Sequence, residues 1–132
     1  TAEFVRAHPD KLIGYLSVHP HDPNCLDEIE RGVSDLGLRG IKLGPNYQNF
    51  DPLGEAAFRV YGRAQALGLP ITFHTGTSPV RGADLDYAHP RHFDRVAIAF
   101  PDHVAGFSTR DQLSSEMCTI PSNPGINSTN AP

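Results

Sequence analysis

His74 closes the apolar run Leu69-Pro70-Ile71-Thr72-Phe73-His74 and is followed by Thr75-Gly76-Thr77. A histidine at the last position of such a strand sits where parallel α/β sheets present their chemistry, at the strand carboxyl ends. Neutral imidazole is the commonest protein metal ligand, so metal binding is the chemistry this placement suggests. A core histidine bonded to a backbone carbonyl is the plainer alternative. Lys42 stands in the matching place on the preceding strand, with parity opposite to Ile41 and Leu43. A lysine among apolar strand residues must find a partner, a site or water, because an unpaired buried charge is costly. It is either a catalytic group or an amine that snorkels to the rim.

Other polar residues carry less pattern. His19 ends the run Leu12–Val18 in the same sense, with Tyr15 and Ser17 on its face. His19-Pro20-His21 has the spacing of a metal pair, but Pro20 and the following Asp22-Pro23 place His21 in a turn. His89 and His92 read as a helix cap and a solvated face. The loop Pro45–Phe50 offers Asn46, Tyr47 and Gln48 as polar contacts to a substrate. The stretch from Thr75 to His89 is long for a strand-to-helix loop, and such loops usually cover a ligand. Within it, Arg81 is either a contact for an anionic group or a solvated loop arginine.

These residues need a scaffold, and the spacing supplies one. Residues 1–8 read as the tail of a helix closed by Pro9. Residues 12–18 read as a strand, and Asp22-Pro23 as an N-cap with proline at the first helical position. Leu26, Ile29, Val33 and Leu36 then form one apolar stripe that Gly37 stops. Residues 38–44 are a second strand candidate. Asp51-Pro52 repeats the cap, Leu53, Ala57, Val60, Ala64 and Leu67 repeat the stripe, and Gly68 stops it. Residues 69–74 are the third strand, and a weaker helix runs from Pro90 to Phe100. The segments Leu36–Gly44 and Leu67–Thr75 begin alike and lie 31 positions apart. Strand and helix alternating at that period predict βα units on a parallel sheet.

Composition bounds the rest. With 132 residues, the chain has room for one domain and not for a complete (β/α)8 barrel of about 250 residues. The formal net charge of −4 offers no basic stripe for a phosphate backbone, which argues against nucleic acid as a partner. No run approaches the roughly 20 apolar residues of a membrane span, and no leader resembles a signal peptide. Cys25 and Cys118 are the only cysteines, without a CxxC spacing, so the expected setting is reducing and cytoplasmic. No G-x-G-x-x-G or P-loop motif supports a nucleotide-binding domain. Beyond Pro101 the grammar changes. The segment 103–107 is a feeble strand at best, and residues 103–132 are expected to be an irregular tail, disordered or foreign to the domain at 1–102. The sequon at Asn127 is read as chance.

Several phrases together resemble the amidohydrolase-related family of metal-dependent (β/α)8 enzymes, which includes hydrolases and non-oxidative aromatic-acid decarboxylases. They are HPDKLIGYLSVHPHDP (8–23), LGLRGIKLGPNYQNFDP (36–52), YGRAQALG (61–68), LPITFHTGTSP (69–79) and AHPRHFDRVAIAFPD (88–102). The resemblance implies an α/β fold, an incomplete TIM barrel of about three βα units from its middle. It implies that His74 is a ligand of a divalent metal, usually Zn²⁺, at the end of the fifth barrel strand. Lys42 falls at the end of the fourth strand, where some relatives carry a carboxylated, metal-bridging lysine. The implied activity is hydrolysis of a small molecule by a metal-activated water. Decarboxylation of a carboxylate or aromatic acid, or an inactive remnant, are the alternatives. The implied parent is a possible homo-oligomer. The family's first-strand H-x-H pair has no counterpart in this sequence, and His103 begins rather than ends the strand expected after Pro101, so the implied site lacks most of its ligands.

Overall fold

The structure, a computed structural model, describes residues 2–101 and the strands at 105–109 and 118–119. Helix α1 spans Ala2–Ala7 and α2 spans Cys25–Ser34; strand β1 is Ile41–Leu43 and a short helix α3 is Pro45–Gln48. Helix α4 (Glu55–Ala66) leads to β2 (Ile71–Thr75), and a 3-10 turn at Asp86–Ala88 leads to α5 (Pro90–Ala99). Strands β3 (Ala105–Thr109) and β4 (Cys118–Thr119) complete a four-stranded sheet ordered β1-β2-β3-β4. β1, β2 and β3 run parallel, and β4 returns antiparallel to β3. β3 lies within the stretch expected to be irregular. β4 lies there too; the other residues of that tail, with His103 and the Asn127 sequon, lie outside the described residues.

The alternation of helix and strand follows the apolar stripes. Ile29 of α2 and Ala57, Val60, Tyr61 and Ala64 of α4 are buried against Ile41, Leu43, Ile71 and Phe73 of the sheet. Phe73 stacks on Phe93 of α5 with ring centroids 4.5 Å apart, and Tyr61 meets the Phe73 ring edge-on at 5.6 Å. Burying one such aromatic side chain contributes up to about 3 kcal/mol, so this cluster is the main adhesive between helices and sheet. The Tyr61 hydroxyl donates to the Pro52 carbonyl at 3.0 Å, so its polar end is satisfied. Gly37 and Gly68 end α2 and α4 with φ of 67° and 64°, the left-handed conformation that glycine adopts without strain.

Three local expectations are corrected. Residues 12–18 pair with β1 through a single bridge, Leu16 to Ile41, rather than a full strand. The run still lies parallel to β1, bonded from Leu16 N–H to Gly40 O and from Lys42 N–H to Leu16 O. As the outer element it gains ladder bonds from one side only, too few to regularise it. The aspartates do not cap the helices: Asn24 and Gly54 occupy the N-cap positions of α2 and α4. Asp22 and Asp51 instead accept from the backbone N–H groups of Asn24 and Leu53, closing turns that launch each helix. His92 is not on a solvated face, since its side chain is only 14% exposed and lies 3.8 Å from Asp86.

Candidate active site

Parity sorts the sheet residues. Ile41, Leu43, Ile71 and Phe73 face the helices, which leaves Lys42, Thr72 and His74 on the opposite face. In the β1–β2 register Lys42 lies beside Thr72, and Leu43 beside Phe73, so His74 stands one residue beyond the paired positions. The same face continues onto the outer run, where a side chain on Gly40 would strike the ring of Tyr15. On the other side β3 pairs with β2, with Ser108 in backbone register with His74. All three side chains therefore belong to one surface near the carboxyl ends of parallel strands.

His74 is 8% exposed, and its Nε2 lies 3.1 Å from the Thr77 carbonyl oxygen. A carbonyl only accepts, so Nε2 carries the proton and Nδ1 carries the lone pair. A backbone contact of this kind fixes tautomer and ring orientation, as it does for metal-binding histidines. The Tyr47 ring packs edge-on against the imidazole, centroids 5.4 Å apart. Gly44 makes that position available, because a Cβ there would overlap the Tyr47 ring. Burial raises the Tyr47 phenol above its ordinary pKa, so it stays protonated through the neutral range. Lys42 has a buried Nζ without a hydrogen-bond partner among the described residues, and desolvation lowers its pKa.

Helix α3 holds Tyr47 in place. Proline at its first position presets the backbone, and Asn49 ends it in the left-handed region at φ 54°. Gln48 accepts from Gly44 N–H at 2.7 Å and donates from Nε2 to the Val18 carbonyl at 2.9 Å. The Gln48 carbonyl in turn accepts from His19 Nε2 at 2.7 Å. Asn46 is 1% exposed; its amide donates to the Gly76 carbonyl and its oxygen accepts from Tyr47 N–H. The loop thus ties the outer run, β1 and the end of β2 into one platform. Asn46 and Gln48, expected from their loop position to contact a substrate, have their side chains engaged with the protein's own backbone.

The remaining candidates separate. His19 uses both ring nitrogens, Nδ1 accepting from His21 N–H and Nε2 donating to Gln48 O. His89 Nδ1 accepts from Arg91 N–H and caps α5. Arg81 is exposed in the loop after β2, away from the platform's bonds. Among the described residues no group of three or more His, Cys, Asp or Glu side chains converges as a metal cage. His74 therefore fits a metal as one donor, and the described residues do not close a coordination set. A cleft of about 380 Å³ lies at the opposite, amino-terminal end, lined by Val5, Arg6, Ile13, Gly37 and Arg39 among others. The signal for the α3 platform is present in the sequence as Gly44-Pro45, a proline start after a glycine. Its long-range bonds leave no local trace.

Comparison with known proteins agrees with this arrangement. An uncharacterised TIM-barrel protein from Bordetella bronchiseptica superposes with a TM-score of 0.63 at 25% identity, over 79% of this chain and 37% of that one. A candidate amidohydrolase from Staphylococcus aureus gives 0.59 at 17% identity, over 82% and 44%. The 2,6-dihydroxybenzoate decarboxylase from Rhizobium gives 0.61 at 16% identity, over 82% and 41%. The chain thus spans less than half the length of these structures, and its fold is an incomplete (β/α)8 barrel. No curated protein matches it. A family model described as amidohydrolase matches residues 1–108, and the chain belongs to the amidohydrolase family.

Proposed function

We propose that this chain is the part of a metal-dependent hydrolase that supplies His74 as one ligand of a divalent metal, Zn²⁺ in the simplest case. The carrying observation is a nearly buried imidazole at the carboxyl end of β2, its tautomer fixed by the Thr77 carbonyl, on the same face as Lys42. A bound Zn²⁺ supplies Lewis acidity and lowers the pKa of a coordinated water to about 7. This chain's own residues do the rest of the local work. Tyr47 shields one side of the imidazole, and Asn46 and Gln48 hold Tyr47 there. The substrate is a small molecule, and Lys42 favours an anionic one. Decarboxylation of an aromatic acid is the second reading, supported by the likeness in fold to the Rhizobium decarboxylase.

The test is a Co²⁺ titration of the full chain followed by NMR. Paramagnetic broadening centred on His74, weak in affinity and absent from His74→Ala with its other shifts unchanged, is the expected result. Broadening that centres on His89 or His92, or that survives in His74→Ala, overturns the assignment. In an active enzyme containing this chain, release of CO₂ without incorporation of water oxygen selects the decarboxylase reading.

A further inference from the structure

We propose that the amino-terminal cleft is a second ligand site, remote from the His74 face, for a monocarboxylate with a short apolar body. Its volume of about 380 Å³ is that of a small-molecule site. Its walls come from residues 5–14 and 34–39, where α1 turns into the outer run and α2 turns into β1. A Cβ on Gly14 would strike Leu38 and crowd Val5, so glycine there lets α1 lie directly on the outer run. Arg6, in the last turn of α1, and Arg39, two residues ahead of β1, both line the cleft. Neither guanidinium has an ion pair or a side-chain hydrogen bond among the described residues.

The charges of the cleft select its ligand. Arginine keeps its proton throughout the working range, so both positive charges persist with or without a ligand. The third charged group on the wall is Asp35, whose Oδ1 accepts from the Ser34 hydroxyl at 2.7 Å. Two guanidiniums and one carboxylate leave one net positive charge, which matches a monocarboxylate better than a phosphate dianion. A planar guanidinium fork also fits the two oxygens of a carboxylate. Backbone acceptors nearby are engaged: the Gly14 carbonyl takes Arg39 N–H at 2.8 Å, and the Val5 carbonyl takes His8 N–H at 3.1 Å. The rest of the wall is apolar, with Val5, Leu12, Leu36 and Ile13, the last 69% exposed. A ligand whose head meets the arginines can therefore lay an alkyl or aryl body over Ile13 and Leu36 and remove that surface from water.

The experiment titrates the full chain with hexanoate, with hexanamide as its uncharged analogue and acetate as the head alone. NMR reads the Arg6 and Arg39 Nε–H signals and the Ile13 and Leu36 methyls. Hexanoate is expected to shift all four saturably, acetate to bind more weakly, and hexanamide to leave the arginine signals in place. Arg6→Gln and Arg39→Gln should each weaken hexanoate about fivefold, the loss of one exposed charge pair. Asp35→Asn removes the opposing charge and should tighten it severalfold. Lys42→Met, at the other end of the strands, should leave the Arg6 and Arg39 shifts unchanged. Equal shifts from hexanamide, or no saturable shift in the unsubstituted chain, overturn the site even if a variant fails to fold. Methyl shifts that survive in the double variant Arg6→Gln/Arg39→Gln overturn it as well.

Discussion

Replacing Gln48 by alanine tests whether the short helix after β1 holds the carboxyl ends of the strands together. The substitution removes two side-chain bonds, from Gly44 N–H at 2.7 Å and to the Val18 carbonyl at 2.9 Å. Each net hydrogen bond is worth about 1 kcal/mol, and leaving a partly buried backbone partner unsatisfied adds to that, so a loss of about 2–3 kcal/mol is expected. Both contacts are part-buried, which keeps water from replacing them in full. Gln48→Glu keeps the acceptor for Gly44 and loses the donor for Val18, so about half the loss should remain. Urea unfolding followed by far-UV circular dichroism measures the difference. With a slope of about 1.5–2 kcal/mol per molar, the midpoint should fall by roughly 1–2 M in Gln48→Ala at unchanged slope. A shift corresponding to less than about 0.5 kcal/mol would place Gln48 with ordinary surface residues and refute the platform.

Further outcomes follow from the same contacts. Gly44→Ala should expel the Tyr47 ring, seen as loss of the ring-current shift on the His74 protons, since a Cβ cannot share that space; an unchanged shift would show that the ring is held otherwise. Burial, with Asp51 nearby, holds the Tyr61 phenol far above its ordinary value. The folded state therefore keeps a proton that the unfolded chain releases near pH 10. Stability attributed to Tyr61 is complete below about pH 10 and declines above it, by up to about 1.4 kcal/mol per pH unit. Tyr61→Phe should remove that slope, and a stability profile identical in the two proteins would contradict it.

What the amino-acid sequence reveals of this fold depends on range. The stripes of α2 and α4 repeat within a few turns, and glycines close them, so those helices can be read directly from Leu26–Gly37 and Leu53–Gly68. Strand parity is equally local, and it alone puts Lys42 and His74 on one face, where the sheet register has them. The Asp-Pro pairs mark the correct neighbourhood and the wrong role, because an aspartate two residues ahead of a backbone N–H serves a turn as readily as a cap. Helix α3 is marked only at its start, by Gly44-Pro45. Four residues cannot show a period, and its stability comes from Val18, His19 and Gly76, all distant in sequence. Asn46 and Gln48 resemble substrate contacts for the same reason, since polarity in a loop does not reveal its partner.

The two loops at this end differ in what they answer to. Residues 44–50 exchange hydrogen bonds with Val18, His19 and Gly76, so a change there is felt in three consecutive βα units at once. Among the described residues, 78–85 bond only to one another and to the adjoining turn, through Ser78 to Val80, Val80 to Ala83, Asp84 to Asp86 and Leu85 to Ala88, and they expose Val80 and Leu85. The first loop is common property and resists revision. The second is private, and can be lengthened, shortened or recoloured without disturbing the platform.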